Sequence, residues 1–493
     1  MKKNKLPIMI LLLVTAGCDK LALVPVSDKS VEGFYTNEAE LNQAVIACYG
    51  GAQEFFVTEY YSYRLTEARS DNTFQGMAYD DGPISRFIET AFLPDLNNAW
   101  AGAYQLIARC NKILDVLPAI ELSEEKSKQF EGEARFFRAL VYFDLVRLFG
   151  GVPLVTQPLS LADSYSITRA SVEQVYAQIE NDLTEAAILL PDSYSSSGKG
   201  RATKWAAKGF LGKVLVFQSG YPLNKNRWAD AKSVLLEVIQ SGKFSFFNNF
   251  EDIFKYENES GAQSVFSIMF KAGSSEEGNN FPTRNAPNTI KKAEVQNGGL
   301  PYGGSPYYLI LSSDLIDSFE DGDIRKNISI RFEWQENSGA IRTDDPFCQK
   351  YQNGPVAAVS DWDIDWIMLR YDDVLMMYAE CLNEIGYTAG GEAFSILNQI
   401  RARAGLTPKT AADVPNQQSY RLWMEQERRH EFCFENIRWF DLVRTDRALE
   451  VMQVFLQQYS LQGNLAGRDR YIYPIPQRVL NENTNIQQNP GYN

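Results

Sequence analysis

The sequence predicts a mainly α-helical protein, in which a scaffold of paired helices is interrupted by one loop-rich, partly β insertion. Two observations predict this fold class. Over long stretches, apolar residues recur three and four positions apart, which is the spacing of an amphipathic helix. Between about residues 244 and 366 this spacing is lost, and short β-leaning runs such as Ser264 to Ile268 alternate with segments rich in glycine, proline and asparagine.

The spacing of the predicted helices indicates how they pair. They span residues 38–56, 95–117, 123–149, 171–190, 202–219, 227–241, 367–385, 391–404 and 416–437. Two of them end in the same dipeptide, Leu117-Pro118 and Leu190-Pro191, 73 residues apart. This interval is about twice the 34-residue period of tetratricopeptide repeats and indicates TPR-like helix pairing. The scaffold is expected at 18–243 and 367–493, with the insertion at about 244–366.

Composition excludes several classes of function. The 493 residues are 45% apolar and 22% charged, as in an ordinary folded protein, and the net charge is −14. A negative charge of this size repels phosphate backbones, so no nucleic acid partner is expected. His430 is the single histidine of the chain. A catalytic triad or a histidine-rich metal site would have to use this one imidazole, which makes most hydrolase mechanisms poor candidates.

The first residues read as a lipoprotein leader. Lys2, Lys3 and Lys5 precede an 11-residue apolar stretch, and Gly17-Cys18 follows it. Such a stretch is too short to cross a bilayer and is typical of a cleaved secretory signal, expected at residues 1–17. A cysteine directly after small residues is typical of a bacterial lipobox, in which the thiol is acylated. Cys18 is therefore the predicted lipid attachment site, and several acyl chains would hold residues 18–493 at a membrane surface. The alternative is an ordinary secreted protein in which Cys18 has no role.

The remaining reactive residue types indicate structure rather than chemistry. Five further cysteines lack CxxC spacing and are odd in number, so buried free thiols are expected instead of a disulfide framework or a zinc site. The motif Glu320-Asp321-Gly322-Asp323 lacks the later ligands of a calcium loop and is predicted to be a structural turn. His430 lies in a charged run and is expected to be a packed or surface residue. Neither a metal nor a cofactor is predicted.

The charged run itself is predicted to lie on one helix, with opposite charges three and four positions apart: Glu427, Arg428, Arg429, Glu431, Glu435 and Arg438.

Besides the lipobox, a series of motifs is spread over nearly the whole chain: Asn98-Ala99-Trp100, Tyr104 to Asn111, Glu133 to Ala139, Leu148 to Pro153, Leu369 to Glu380, Leu397 to Leu406, Glu427-Arg428-Arg429, Arg438 to Arg444, Tyr473 to Pro476 and Gln488 to Tyr492. Together these motifs resemble those of the SusD/RagB family of outer-membrane nutrient-binding lipoproteins. His430 and Cys433 depart from the arginine, leucine and alanine residues usual in that stretch. The resemblance implies a TPR-containing helical core with a loop-rich ligand face. It also implies a partner, a TonB-dependent transporter of the SusC type, and a ligand that is a glycan or, in some branches, a peptide.

The chain is therefore expected to be a non-enzymatic lipoprotein of the outer membrane, facing the cell exterior, that binds a glycan. Aromatic planes beside amide or carboxylate groups are what a sugar ring requires. Composition alone then selects the loop residues that are candidate ligand contacts: Trp362, Trp334, Asn72, Phe74, Tyr79, Asp80, Asp81, Phe281, Tyr302, Tyr307 and Tyr308. Trp362 stands out because its neighbours Ser360, Asp361 and Asp363 are polar, which favours exposure, whereas Trp366 opens an apolar run and is expected in the core.

Three alternatives remain open at the level of the sequence. The same fold could bind peptides. A glycoside hydrolase would need two carboxylates about 5–9.5 Å apart in a cleft. A pure TPR scaffold would bind only protein, and no small ligand would raise its melting temperature.

Overall fold

The computed structural model describes residues 35–58, 61–75, 82–273, 278–306 and 308–492. The helices in chain order are α1 (Glu38–Gln53), α2 (Tyr61–Leu65), α3 (Gly82–Ser85), α4 (Pro94–Val116), α5 (Glu124–Phe149), α6 (Leu161–Ser164), α7 (Val172–Leu189), α8 (Lys204–Ser219), α9 (Trp228–Gln240), α10 (Phe281–Arg284), α11 (Ser313–Ser318), α12 (Ile324–Ser329), α13 (Tyr371–Ile385), α14 (Glu392–Arg403), α15 (Gln417–Glu431), α16 (Arg438–Arg444), α17 (Ala448–Gln457) and α18 (Gln477–Glu482). The strands are β1 (Ser264–Ile268), β2 (Ile330–Arg331), β3 (Trp334–Gln335), β4 (Ile341–Arg342), β5 (Phe347–Cys348), β6 (Val356–Ala358), β7 (Asp361–Trp362) and β8 (Trp366–Arg370).

The long helices pack in sequence, which confirms the predicted mainly α, TPR-like scaffold. α4 packs on α5, α5 on α7, α7 on α8 and α8 on α9, and α13 then lies between α9 and α14. Each helix covers the apolar stripe of its neighbour, so one continuous core forms along the stack. α5 contributes Phe136, Phe137 and Val141 to this core, and all three are fully buried. It begins at the capping side chain of Ser123 and ends at Gly150, whose φ of +74° suits glycine.

The insertion joins the scaffold through an antiparallel strand pair. β1, which the sequence predicts, pairs with β8, and Ser264 lies opposite Arg370. A helix predicted from residue 367 is wrong at its first turn, because Trp366 to Arg370 form β8 and α13 begins only at Tyr371. Periodicity alone does not separate a short buried strand from the helix that follows it. The other strands form two-stranded pairs, β2 with β5, β3 with β4 and β6 with β7.

The charged run after α15 also departs from the prediction. α15 ends at Glu431 instead of residue 437, so Glu435 lies in the following turn and Arg438 begins α16. Phe434 and Asn436 have φ angles of +67° and +61°, and such left-handed residues end a helix. The chain therefore turns sharply, which places α16 beside α15.

Other predictions concern the core. Cys48, Cys110, Cys348, Cys381 and Cys433 are free and buried, as predicted. Trp366 is in the core, as predicted. His430 is packed against Phe319, with ring centroids 4.3 Å apart. Asp323 caps α12 and pairs with Arg325, so the Asp-Gly-Asp motif is a structural turn. Cys18 lies outside the described residues, among which no helix is both long and apolar enough to span a bilayer.

Candidate functional site

A buried network of charges lies between the scaffold and the insertion. The Glu431 carboxylate, at the end of α15, accepts hydrogen bonds from Arg370 and Arg403 at 2.8 and 2.6 Å and from Arg325 at 3.1 Å. All four side chains are almost fully excluded from solvent. Burial alone raises a carboxyl pKa, but the surrounding guanidinium groups outweigh it and hold the pKa of Glu431 well below its usual range. Because these residues come from α12, β8, α14 and α15, the network fixes the insertion on the scaffold.

Arginines of α15 and α16 hold the loop of residues 66–75. Arg429 donates from Nε to Oδ1 of Asn72 at 2.9 Å, and Arg438 donates twice to the Asp71 carboxylate at 2.8 Å. Asn72 donates in turn to Glu67 at 2.8 Å. Burial would raise the pKa of Asp71, but Arg429 and Arg438 lower it to about 2. The loop is therefore held in place by buried ionic hydrogen bonds.

A second loop runs beside this one. The amide of Phe74 donates to the carbonyl of Ile310, and the amide of Ser312 donates to the carbonyl of Asn72, both at 3.0 Å. The Phe74 ring stacks on Tyr459 with centroids 3.5 Å apart and an interplanar angle of 12°. Backbone bridges join Thr73 to Leu311, Asn279 to Trp362 and Ile290 to Glu336, so these segments pack together. They are called the loop face here and comprise residues 66–75, 278–306, 308–312 and 334–365.

A small hydrophobic cluster lies under the loop face. Its buried members are Ala286, Ile290, Leu300, Tyr308, Trp334, Phe347, Trp362 and Ile364. Trp362 donates from its indole nitrogen to the Thr283 hydroxyl at 2.8 Å, and Trp334 donates to the carbonyl of Asp345 at 2.9 Å. A buried indole N–H needs such a partner, and both have one. The tryptophans thus support the loops from within.

This arrangement corrects the expected exposure of several predicted contacts. Trp362 and Trp334 are only 1% and 3% exposed, and Asn72, Phe281 and Tyr308 are buried as well. Ser360 is exposed, but the adjacent Asp361 and Asp363 do not hold Trp362 at the surface, because both are buried too. Asp361 accepts from the amide of Gly273 at 2.9 Å, and Asp363 pairs with Lys271. In this conformation the Trp362 ring has no free face for a sugar.

The remaining predicted contacts fall into two groups. Tyr302 is 44% exposed on the loop face, and Phe74 is partly buried against Tyr459. Tyr79, Asp80, Asp81 and Tyr307 lie outside the described residues. Gln75 and Tyr308 flank the segments that hold these residues, and the side-chain Nε2 of Gln75 donates to the Tyr308 carbonyl at 3.4 Å. A ligand role for Tyr302, Phe74, Tyr79, Asp80 and Tyr307 stays a prediction.

Carboxylates with raised pKa values lie together at Glu259 and Asp365. The Asp365 amide donates to Glu259 at 2.6 Å. Burial, and then the neighbouring Asp365 charge, raise the pKa of Glu259 to about 8, and burial raises that of Asp365 to about 6. The cavity beside them measures about 20 Å³, room for a water molecule but not for a sugar ring. Among the described residues no group of three or more His, Cys, Asp or Glu side chains could hold a metal ion.

The sequence did not indicate the open groove that lies on the helical scaffold. It has a volume of about 480 Å³ and lies between α4, residues 153–167, and α18 with the segment to Ile486. Trp100 and Tyr104, which the family motifs include, form part of its floor with ring centroids 5.3 Å apart. Cavities of about 250 and 210 Å³ lie beside α15 and α16 and are lined by paired charges and by aromatic rings, respectively. Grooves assembled from distant segments leave no local signal in a sequence.

Two family models of the SusD type match the chain. Residues 345–492 match the model of the SusD family, and residues 26–216 match the related family described as starch-binding associating with outer membrane. A SusD-like protein of Formosa agariphila is 27% identical over 538 residues, covering 100% of both chains. A solved laminarin-binding SusD-like protein is 26% identical with a TM-score of 0.77, over 93% of this chain and 100% of that one. A SusD homologue from Bacteroides thetaiotaomicron has a TM-score of 0.82 at 22% identity, over 94% and 99% of the two chains, and shows the same fold.

Proposed function

We propose that this protein is a surface lipoprotein that binds a glycan and delivers it to a TonB-dependent transporter of the SusC type. The observation that carries the proposal is its likeness, over almost the whole of both chains, to a laminarin-binding SusD-like protein. The match of the N-terminal half to a starch-binding, outer-membrane-associated family supports the same ligand class. Residues 1–17 then form the leader, and residues 18–493 form one SusD-like domain.

The ligand is proposed to leave the protein chemically unchanged. The paired acids at Glu259 and Asp365 have the raised pKa values that a general acid needs, but no room for a sugar ring beside them. His430 is stacked on Phe319, and burial and then Arg325 lower its pKa to about 2, so it stays neutral at working pH. Neither place has the open cleft that glycoside hydrolysis requires.

The loop face is the proposed primary ligand surface, with Tyr302 as its exposed aromatic platform. Replacing Tyr302 by alanine is expected to weaken glycan affinity by about tenfold, which corresponds to the loss of one stacking contact. Ile46→Ala is the matched control, because Ile46 is a similarly exposed apolar residue that lies on α1, outside the loop face. Calorimetric titration measures both variants. Equal affinity of the Tyr302 variant and the native protein removes Tyr302 from the site.

The anchor and the partner require separate tests. Cys18→Ala is expected to release the protein from membranes into the soluble fraction, since the acylated thiol is the proposed tether. Cys433→Ala is a control that keeps Cys18. Membrane retention of the Cys18 variant contradicts the anchor, and failure to co-purify a TonB-dependent transporter from native membranes contradicts the proposed partner. The alternative hypothesis is a peptide importer with the same fold. It predicts that peptides bind while neutral oligosaccharides do not.

A further inference from the structure

The groove on α4 has walls that internal hydrogen bonds hold in place. Asn111 donates to the carbonyls of Val155 and Gln157 at 3.0 and 3.4 Å. Asn483 donates to the carbonyl of Ile167 at 2.8 Å, and the Tyr104 hydroxyl donates to the carbonyl of Pro153 at 2.7 Å. These bonds tie the connection of residues 153–167 to α4 on one side and to the C-terminal segment on the other. The groove is therefore a formed feature of the scaffold, of a size usual for ligand sites, roughly 300–1,000 Å³.

Several groups that line the groove have unused binding capacity. The amide side chains of Asn97, Gln105 and Gln157 make no hydrogen bond to any other described residue, and each offers both a donor and an acceptor. Tyr165 is 52% exposed at the rim. The groove thus combines an exposed ring with free amides, which are the two kinds of group that contact a sugar ring and its hydroxyls.

The charge of the lining restricts the ligand class. Arg478 and Glu482 are the charged residues that line the groove, and they pair with each other at 2.7 Å. The lining therefore carries no net charge within a protein of net charge −14, and no unpaired cation is available for an acidic ligand. A peptide would bring charged termini, for which this lining offers no unpaired partner. A neutral, hydroxyl-rich chain meets none of these penalties.

We propose that the α4 groove is a second saccharide-binding site, which contacts a neutral oligosaccharide chain through Tyr165 and the amides of Gln105 and Gln157. It lies on the helical scaffold, whereas the primary surface proposed above is the loop face. The inference rests on the proposed function, because it concerns the same class of ligand. A second contact on the same molecule would raise the affinity for long chains more than for short ones.

Two kinds of variant test the site without removing a core residue. Tyr165→Ala removes the exposed ring, and Leu161→Ala is its control, because Leu161 is 73% exposed in the same segment and does not line the groove. Ala108→Trp fills the groove from the exposed side of α4, and Ala229→Trp adds the same bulk to an exposed position of α9. Each purified variant is titrated calorimetrically with a laminarin-type hexasaccharide and with the long polymer, after its melting temperature has been compared with that of the native protein.

The expected result is that Tyr165→Ala and Ala108→Trp lower the affinity for the polymer by about tenfold, while both controls bind as the native protein does. If the native protein binds the polymer and all four variants match it, the groove site is overturned and the proposed function stands. If the native protein binds neither saccharide, the proposed function is contradicted, and the groove site is contradicted with it. Binding of a peptide that Ala108→Trp abolishes would overturn the saccharide assignment of the groove.

Discussion

Arg429 and Asn72 are joined by a buried hydrogen bond of 2.9 Å, which connects the last turn of α15 to the loop of residues 66–75. Both side chains are excluded from solvent, and Asn72 also donates to Glu67. Two hydrogen bonds in series, from Arg429 to Asn72 and from Asn72 to Glu67, thus connect the scaffold to the loop face. A loop held in this way is pre-organised, which lowers the entropic cost of binding a ligand.

Asn72→Ala is expected to destabilise the protein by about 1–3 kcal/mol, because it leaves the buried Arg429 guanidinium and Glu67 carboxylate each without one partner. Urea unfolding measures the change in the free energy of unfolding. Asn98→Ala, at an exposed position of α4, is the control and should behave as the native protein does. A stable Asn72 variant would show that the loop is held by its backbone contacts alone.

Glu431→Gln tests the charged network. Removing this charge leaves Arg325, Arg370 and Arg403 buried around a neutral amide, and breaking such a pair costs about 3–5 kcal/mol. The free energy of unfolding is again the readout. Glu124→Gln removes an exposed charge that pairs with Lys128 and should change stability little. A loss no larger than that of the Glu124 variant would contradict the role given to the network.

Glu259 gives the protein a specific pH dependence. Its folded pKa of about 8 lies above the ordinary value of 4.5, so the folded state binds more protons than the unfolded state between these values. Stability from this group is complete below pH 4.5 and is lost as the pH rises toward 8. The free energy of unfolding of Glu259→Gln, taken relative to that of the native protein, should therefore be about 1–2 kcal/mol higher at pH 8 than at pH 4.5. This magnitude allows for solvent screening at the half-buried site. Unfolding at the two pH values measures the difference, and Glu257→Gln, which alters the exposed neighbour, should show none.

Trp362→Ala separates a structural role from a ligand contact. The ring is buried and hydrogen-bonded to Thr283, so its removal is expected to cost about 3–5 kcal/mol of stability. Tyr302→Ala, at an exposed position, should leave stability unchanged. Thermal unfolding reports on both. A Trp362 variant that keeps native stability and loses ligand binding would show that the ring contacts the ligand.

The helices could be predicted from the sequence because their apolar stripes and end signals are local. The bounds predicted for α5 and α7, 123–149 and 171–190, differ from Glu124–Phe149 and Val172–Leu189 by one residue at most. The binding surface could not be predicted in the same way. The sequence predicts Trp362 at the surface because its neighbours are polar, but Asp361 and Asp363 are buried and make contacts with Gly273 and Lys271 far along the chain. Exposure depends on such distant partners, and a window of sequence does not contain them.

Binding without cleavage can be measured by titrating the purified protein with laminarin and starch oligosaccharides and then analysing the same samples for shorter products. The proposed function requires saturable binding of at least one of the two glycans, with chain lengths unchanged after prolonged incubation. Absence of binding to both, or the appearance of shortened chains, would contradict it.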